Sequence, residues 1–334
     1  MDTGATRSVG FIDGVERRLA EVVGAEARLE RAAARLVLAS GAKRARARVC
    51  RSLAGELGVD DAVTTEIAAI VELIHGASLL HDDVVDRSER RRGLPTVNAT
   101  DGNAFAVLCG DLVLARALHL VTALPQGAAM IVDAIDVVER MTRAAVIEVE
   151  ARTVLPEPRA GLALWREMAL GKTGALFGLC GSLMARAART DDATREALRR
   201  GLEALGLAFQ LIDDLGDVAG TDAGKPRGQD VREHALNHTM LSAMCVDAAL
   251  AHACQAAWQG PGEPDTVVVV DLCDRALVAG GGATVHEARA AVQDGAAVGA
   301  EALAREVLPW ARRLVADATG LVSTVGPERQ SVGM

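Results

Sequence analysis

Apolar residues recur at intervals of three and four along most of this chain, the spacing that gathers them on one face of an α-helix. Residues 62–86 carry the pattern most clearly, in Ile67, Ile70, Leu73, Ile74, Ala77 and Leu80. The same pattern predicts helices over 11–38, 43–57, 102–123, 128–153, 161–188, 192–218, 239–257 and 284–322. Breaks fall where Pro, Gly and polar residues gather, in RRGLPT, LPQG, LPEPRAG, AGTDAGKPRGQD and QGPGEPD. The run DTVVVVD at 265–271 is strand-like, but one β-branched run makes no sheet, and it reads as the start of a helix. No segment of disordered composition divides the chain. The expectation is one all-α domain over 1–334, with its core at about 25–320 and frayed ends.

Composition agrees with a helical core. The 334 residues are half hydrophobic, mostly Ala, Leu and Val, with four Phe, three Trp and no Tyr. Ala and Leu are strong helix formers. A net charge of -9 argues against a general binder of nucleic acid or anionic membrane. The six cysteines (Cys50, Cys109, Cys180, Cys245, Cys254, Cys273) form no CxxC and read as small buried hydrophobes in a reducing compartment. No basic-then-apolar leader opens the chain. The apolar stretch 104–124 carries Asp111, Arg116 and His119, which speaks against a membrane span. A soluble, cytoplasmic protein is expected.

Against that background, ASLLHDDVVDRSERRRGLPT (77–96) sets three aspartates in apolar sequence and arginines just beyond. On a helix Asp82 and Asp86 lie about 40° apart, with Asp83 near the same arc. His75 is seven residues before Asp82, on the same stripe. The segment LAFQLIDDLGD repeats the arrangement at Asp213, Asp214 and Asp217, with Gln210 seven before Asp217. Three carboxylates on one arc repel one another, and apolar surroundings raise that cost. A bound cation offsets it. A lone DDxxD is more often a solvated helix face, but two copies with matching flanks are hard to explain so. Oxygen ligands without His or Cys favour a hard ion, and magnesium binds through a few carboxylates plus substrate phosphate. The basic residues then supply donors to the remaining phosphate oxygens. The pattern points to an organic diphosphate substrate whose departure magnesium assists.

These residues resemble the trans-polyprenyl diphosphate synthases, the head-to-tail prenyltransferases, over about 25–320. ELIHGASLLHDDVVDRSERRRG is similar to their first aspartate-rich motif and LAFQLIDDLGDVAG to their second. GAKRAR (41–46), GNAFAVLCGDLVLARAL (102–118), GKTGALF (171–177) and GKPRGQD (224–230) match shorter family segments in the same order. The resemblance implies a single large helical bundle of isoprenoid-synthase type around a deep central cavity, usually homodimeric, with the aspartate helices facing across its mouth. It implies that Asp82, Asp83, Asp86, Asp213, Asp214 and Asp217 hold three magnesium ions on an allylic diphosphate. Arg91, Lys172, Thr173, Gln210 and Lys225 would add donors there. Lys43, Arg46, His75 and Arg92 would bind isopentenyl diphosphate. Ionisation gives an allylic cation, the isopentenyl double bond attacks it, and a proton is lost to the departed diphosphate. No covalent nucleophile is needed. The small Ala77 and Ser78, with Leu112 and Leu118 on the following helix, stand where relatives often carry aromatics. The expected product is longer than farnesyl diphosphate.

Three departures from the family pattern stand out. Ala42 replaces the second glycine of GGKR, which a negative φ tolerates. IEVEART (147–153) has Val149 and Thr153 where Gly and Gln are usual. The downstream EGKxT becomes REHALNHT (232–239), without its lysine, which ordinarily helps bind the allylic diphosphate. His234 is a possible partial replacement. His234 and His238 are four apart, but a metal pair lacks a third ligand, so solvated histidines are expected. Trp165, Trp258 and Trp310 read as packing or interface residues. Two rival functions remain open. A class I terpene cyclase on the same scaffold needs no isopentenyl diphosphate site, whereas Lys43, Arg46, His75 and Arg92 are retained. A non-catalytic regulatory subunit has little reason to keep both aspartate clusters.

Overall fold

The computed structural model describes residues 3–39, 44–91, 93–221, 226–260, 264–297 and 308–323. Its elements are α1 (Thr3–Val23), α2 (Arg28–Val37), α3 (Ala45–Leu57), α4 (Asp61–Val85), β1 (Arg90–Arg91), β2 (Leu94–Pro95), α5 (Val97–Asp101) and α6 (Asn103–Ala123). There follow α7 (Gly127–Ala151), α8 (Pro158–Ala169), a π turn (Leu170–Gly174), α9 (Ala175–Ala187) and α10 (Asp192–Ala219). The chain continues through α11 (Gln229–Arg232), α12 (His238–Met244), α13 (Ala248–Gln259), α14 (Thr266–Ala297) and α15 (Leu308–Ser323). The fold is all-α, as the periodicity predicts. Among the described residues the extended structure is a two-residue antiparallel ladder, Arg90 opposite Pro95 and Arg91 opposite Leu94.

The chain groups into two compact units. Among the described residues the first spans 3–139 and 176–202; the second spans 140–175, 203–297 and 308–323. In the first, α4 packs against α6, α3 and α1. Asp60 caps α4 by accepting the Ala62 N–H at 2.8 Å. Ile67, Ile70, Val71, Leu73, Ile74 and Leu80 are all buried, so the apolar stripe read from the sequence is the face that packs. Buried Arg44 ties this unit together. Its guanidinium meets Glu16 at 2.6 and 3.0 Å, Glu72 at 3.2 Å and the Val37 carbonyl at 2.6 Å. Burial alone would lower its pKa, and the two carboxylates reverse that and raise it.

In the second unit α14 packs against α12, α13 and α15, while α8 packs on α12 and the π turn. Gly280 permits the α12–α14 approach, since a Cβ there would overlap the Thr239 carbonyl oxygen.

Three predicted helices differ from the observed ones. The segment 11–38 is two helices, because the Glu30 carboxylate turns back to accept the Glu26 and Ala27 N–H groups at 2.9 and 3.1 Å. The segment 239–257 breaks where Asp247 accepts the Leu250 N–H at 2.8 Å and starts α13. The helix expected from 284 begins at Thr266, capped by Asp265, so VVVV is helical as read and the glycine run 280–282 lies inside the helix.

Candidate active site

In the first unit the acidic cluster occupies the last turn of α4. Asp82 is half-buried, Asp83 is 1% exposed, and Asp86 closes the helix as its C-cap. The β1–β2 hairpin folds against this turn. Arg91 Nε lies 2.7 Å from Asp83 Oδ1. Asn98 Nδ2 donates to the carbonyls of Asp83 and Ser88, each at 3.0 Å, and Thr96 Oγ1 donates to Ser88 at 2.7 Å. The arginine run therefore supplies the second aspartate with its counter-ion. Arg46 sits with its guanidinium carbon 5.2 Å from the Phe177 ring centroid, and burial lowers its pKa. His75 is half-buried one helical turn before Ser78, whose hydroxyl donates to the His75 carbonyl at 2.9 Å. Ala77 is buried, and Leu112 and Leu118 are half-buried on α6. Lys43 and Arg92 lie outside the described residues, as do Ala42 and Lys225.

The second unit holds the other cluster near the end of α10. Asp213 is exposed, Asp214 is 3% exposed, and Asp217 is half-buried. Asp214 accepts three N–H groups. Trp165 Nε1 and the His238 main-chain N–H reach its Oδ2, both at 2.7 Å, and Gln210 Nε2 reaches its Oδ1 at 2.9 Å. Gln210 Oε1 accepts in turn from Thr173 Oγ1 at 2.8 Å. Thr173, Gln210 and Asp214, singled out separately in the sequence, are thus one hydrogen-bonded chain. Burial outweighs these donors and lifts the Asp214 carboxyl to about 7. Asp217 receives the Gln229 N–H at 2.9 Å, tying the start of α11 to the motif helix.

Lys172 belongs to the π turn, a local widening of the kind often found at functional sites. Its ammonium lies 2.7 Å from Glu148 Oε2, and Arg152 Nη2 lies 2.9 Å from Glu148 Oε1. Those cations hold the half-buried Glu148 carboxyl below its usual range against the opposing effect of burial.

The segment 232–239 explains three residues that the sequence reading passed over or misplaced. Residues 233–237 are not helical, so His234 and His238 never share a helix face. His238 is buried, with Nδ1 3.0 Å from Thr284 Oγ1 and Nε2 2.8 Å from Glu287 Oε2. Among the commonest outcomes for an interior histidine is such a satisfied one, and solvation was the wrong expectation here. His234 stacks on Trp258 at 4.9 Å, which places it against an indole rather than beside an aspartate. Asn237 stands two residues before Thr239, where EGKxT has its lysine. Its Nδ2 bridges the Asp214 carbonyl at 3.0 Å and Asp230 Oδ2 at 2.7 Å, while its Oδ1 caps α12. Trp165 is a packing residue with a further task, since its indole donor ends on an acid of the second motif.

Among the described residues no three His, Cys, Asp or Glu side chains converge as a ready metal cage. The donor set still suits magnesium, which takes few protein carboxylates and completes its shell with water and substrate oxygens. Partly exposed Asp82 and Asp86 and exposed Asp213 are oxygen donors of that kind.

Comparison with known proteins follows the same lines. Residues 27–264 match the family model described as polyprenyl synthetase. The chain is 34% identical over 249 residues to a geranylgeranyl diphosphate synthase of Mycobacterium tuberculosis, covering 73% of this chain and 70% of that one. It is 37% identical over 212 residues to an octaprenyl diphosphate synthase of Haemophilus influenzae, covering 62% and 63%. Its fold resembles a polyprenyl synthase from Caulobacter crescentus solved with calcium and isoprenyl diphosphate, at TM-score 0.80 and 28% identity over 95% of this chain and 96% of that one. Both aspartate clusters fall within the matched span, and with them the Lys172–Thr173 turn and Gln210: this chain belongs to the polyprenyl synthetase family.

Proposed function

We infer that this protein is a chain-elongating prenyltransferase that condenses an allylic diphosphate with isopentenyl diphosphate and releases a product longer than farnesyl diphosphate. The observation that carries this is the family match together with the Thr173–Gln210–Asp214 chain, which joins three of the residues that the family motif predicts. The geranylgeranyl and octaprenyl names of the relatives support the product range, as do the small Ala77 and Ser78.

Magnesium is the proposed ion, and the carboxylates of each motif would be its ligands: Asp82, Asp83 and Asp86 in the first, and Asp213, Asp214 and Asp217 in the second. When bound it neutralises charge on the departing diphosphate. The calcium of the Caulobacter protein supports a hard, oxygen-bound ion. The chain's own residues do the rest. Lys172 and Thr173, with Gln210, bind the allylic diphosphate and favour cleavage of its carbon–oxygen bond, the electron pair leaving with the diphosphate. Arg46 and His75, with Lys43 and Arg92, hold isopentenyl diphosphate so that its double bond attacks the allylic carbon. The adduct then loses a proton to the diphosphate, and a new double bond forms.

The reading extends to a single cytoplasmic polyprenyl synthetase-like domain that works as a homodimer. All six cysteines are free and five are buried, consistent with a reducing compartment. Three helical stretches, Asp61–Val85, Asn103–Ala123 and Pro158–Ala187, are long and apolar enough to cross a membrane by length and composition. Within the protein 67%, 33% and 78% of their apolar windows are buried. The first and third are therefore read as core. Exposed Val107 and Leu108 on α6 are read as the dimer contact.

Asn237 in place of the lysine is the observation that favours terpene cyclisation as a second reading. One assay separates the two: purified protein with magnesium, labelled isopentenyl diphosphate and one allylic primer at a time. Longer prenyl diphosphates are expected. Hydrocarbon or alcohol formed from the allylic diphosphate alone would install the cyclase, and silence with every primer would favour a regulatory subunit.

A further inference from the structure

Two of the departures from the family pattern, 147–153 and 232–239, meet in space. Trp258 Nε1 donates to the Arg152 carbonyl at 3.2 Å, and the Trp258 ring stacks on His234. The Arg152 charge reaches His234 and, after burial, is the next cause lowering its pKa. Leu155 lines one crevice with Val231, Ala235, Leu236 and Asn237. On the other side the Arg152 side chain, 16% exposed, shares the Glu148 carboxylate with Lys172, one cation on each oxygen. The two cationic heads are therefore separated by no more than two short contacts and the width of one carboxylate. Arg152 lies between the lysine assigned to the allylic diphosphate and the segment that lacks its lysine.

We propose that Arg152 is a diphosphate-binding residue, presented beside Lys172 by Glu148 and supplying the positive charge that Asn237 does not. This rests on the reading that Lys172 binds the allylic diphosphate. The chemistry fits, because a guanidinium offers two parallel N–H groups to a phosphate and keeps its charge when buried. Asn237 is unavailable for that role, since its amide is spent on Asp214, Asp230 and the α12 cap. Glu148 acts as a positioning residue, holding both cations at one place.

The test uses the full chain with magnesium and inorganic diphosphate as the probe, titrated by calorimetry, alongside KM for the allylic and isopentenyl diphosphates. Arg152→Leu should weaken diphosphate binding and raise the allylic KM by about tenfold to a hundredfold, the effect of losing a charged hydrogen bond. The KM for isopentenyl diphosphate should move less than about twofold by the same reasoning. Arg152→Lys should recover most of the loss, a rescue that a purely packing role does not predict. It also keeps the test alive if the leucine variant folds poorly. Unchanged diphosphate affinity in Arg152→Leu, with weakened binding in Lys172→Ala, would overturn the proposal and leave the Lys172 reading standing. Unchanged affinity in both variants would overturn the two together.

Discussion

Replacing Asp214 with asparagine should stabilise this protein at alkaline pH and leave it little changed near pH 4. Asp214 is buried, and desolvation lifts its carboxyl from 3.8 to about 7. Between those values the folded chain holds a proton that the unfolded chain has released. Stability contributed by this group is thus complete below about pH 4 and lost as pH rises through about 7. A shift of this size corresponds to about 4 kcal/mol. Asparagine has no proton to lose and escapes that term. It also fits the network. Its carbonyl can accept from Trp165 and His238, and a flipped Gln210 can accept from its NH₂ and donate to the Thr173 hydroxyl. Allowing about 1 kcal/mol for imperfect rearrangement, Asp214→Asn should exceed the parent by about 2–3 kcal/mol at pH 8. Urea unfolding from pH 4.5 to 8.5, with chelator present and protein concentration fixed, measures the gap. A gap that does not widen with pH, or a variant weaker than the parent at pH 8, would refute the reasoning. The same variant should lose turnover, because stability here opposes function.

Three further outcomes are expected. Asp82→Ala and Asp213→Ala should each lower turnover by about a hundredfold to a thousandfold while shifting the thermal midpoint little, since neither side chain is buried; full activity in both removes the metal reading. Trp165→Phe should cost about 2 kcal/mol and raise the magnesium concentration for half-maximal activity, and an unchanged magnesium requirement would reduce Trp165 to packing. Ser78→Phe should shorten the product, read by chromatography of dephosphorylated chains, and an unaltered length would place the cavity floor elsewhere. Ala77→Phe should act in the same direction, but at this buried position the larger ring costs about 1–3 kcal/mol of overpacking.

The parts of this architecture that are local in sequence were open to reading. The α4 stripe, the two aspartate triads and the Gln210 spacing are periodicities within single helices, and the structure uses the apolar ones as read. Long-range partnerships were not legible. Trp165 and Asp214 are 49 positions apart, and nothing in either segment specifies that the indole ends on the carboxylate. Breaks caused by local side-chain caps, Glu30 reaching back and Asp247 reaching forward, leave only a weak trace, because an acid at such a position also suits a helix surface. The glycines at 280–282 misled in the opposite sense. Tight packing against α12 requires Gly280 inside a helix, overriding its poor propensity. The lost lysine was visible as a gap, but its neighbourhood was not, so His234 drew attention that belongs to Asn237 and Arg152.

The π turn between α8 and α9 has a consequence for which sequence lengths this site tolerates. Trp165 and Thr173 are eight residues apart, and an unbroken α-helix would set them about 80° out of phase. The wider turn takes up one residue, so the pair behaves more like an i, i+7 pair, about 20° apart. That phase lets one rod address two successive turns of another, Trp165 at Asp214 and Thr173 at Gln210. Removing a single residue from 170–174 would restore a regular helix with the two as true i, i+7 partners, still about 20° apart, and both contacts would survive. Adding a residue to the same turn, with no second widening to absorb it, would set them about 80° out of phase and turn Trp165 away from its acid. The interval from the tryptophan to the threonine can therefore shorten by one residue but not lengthen.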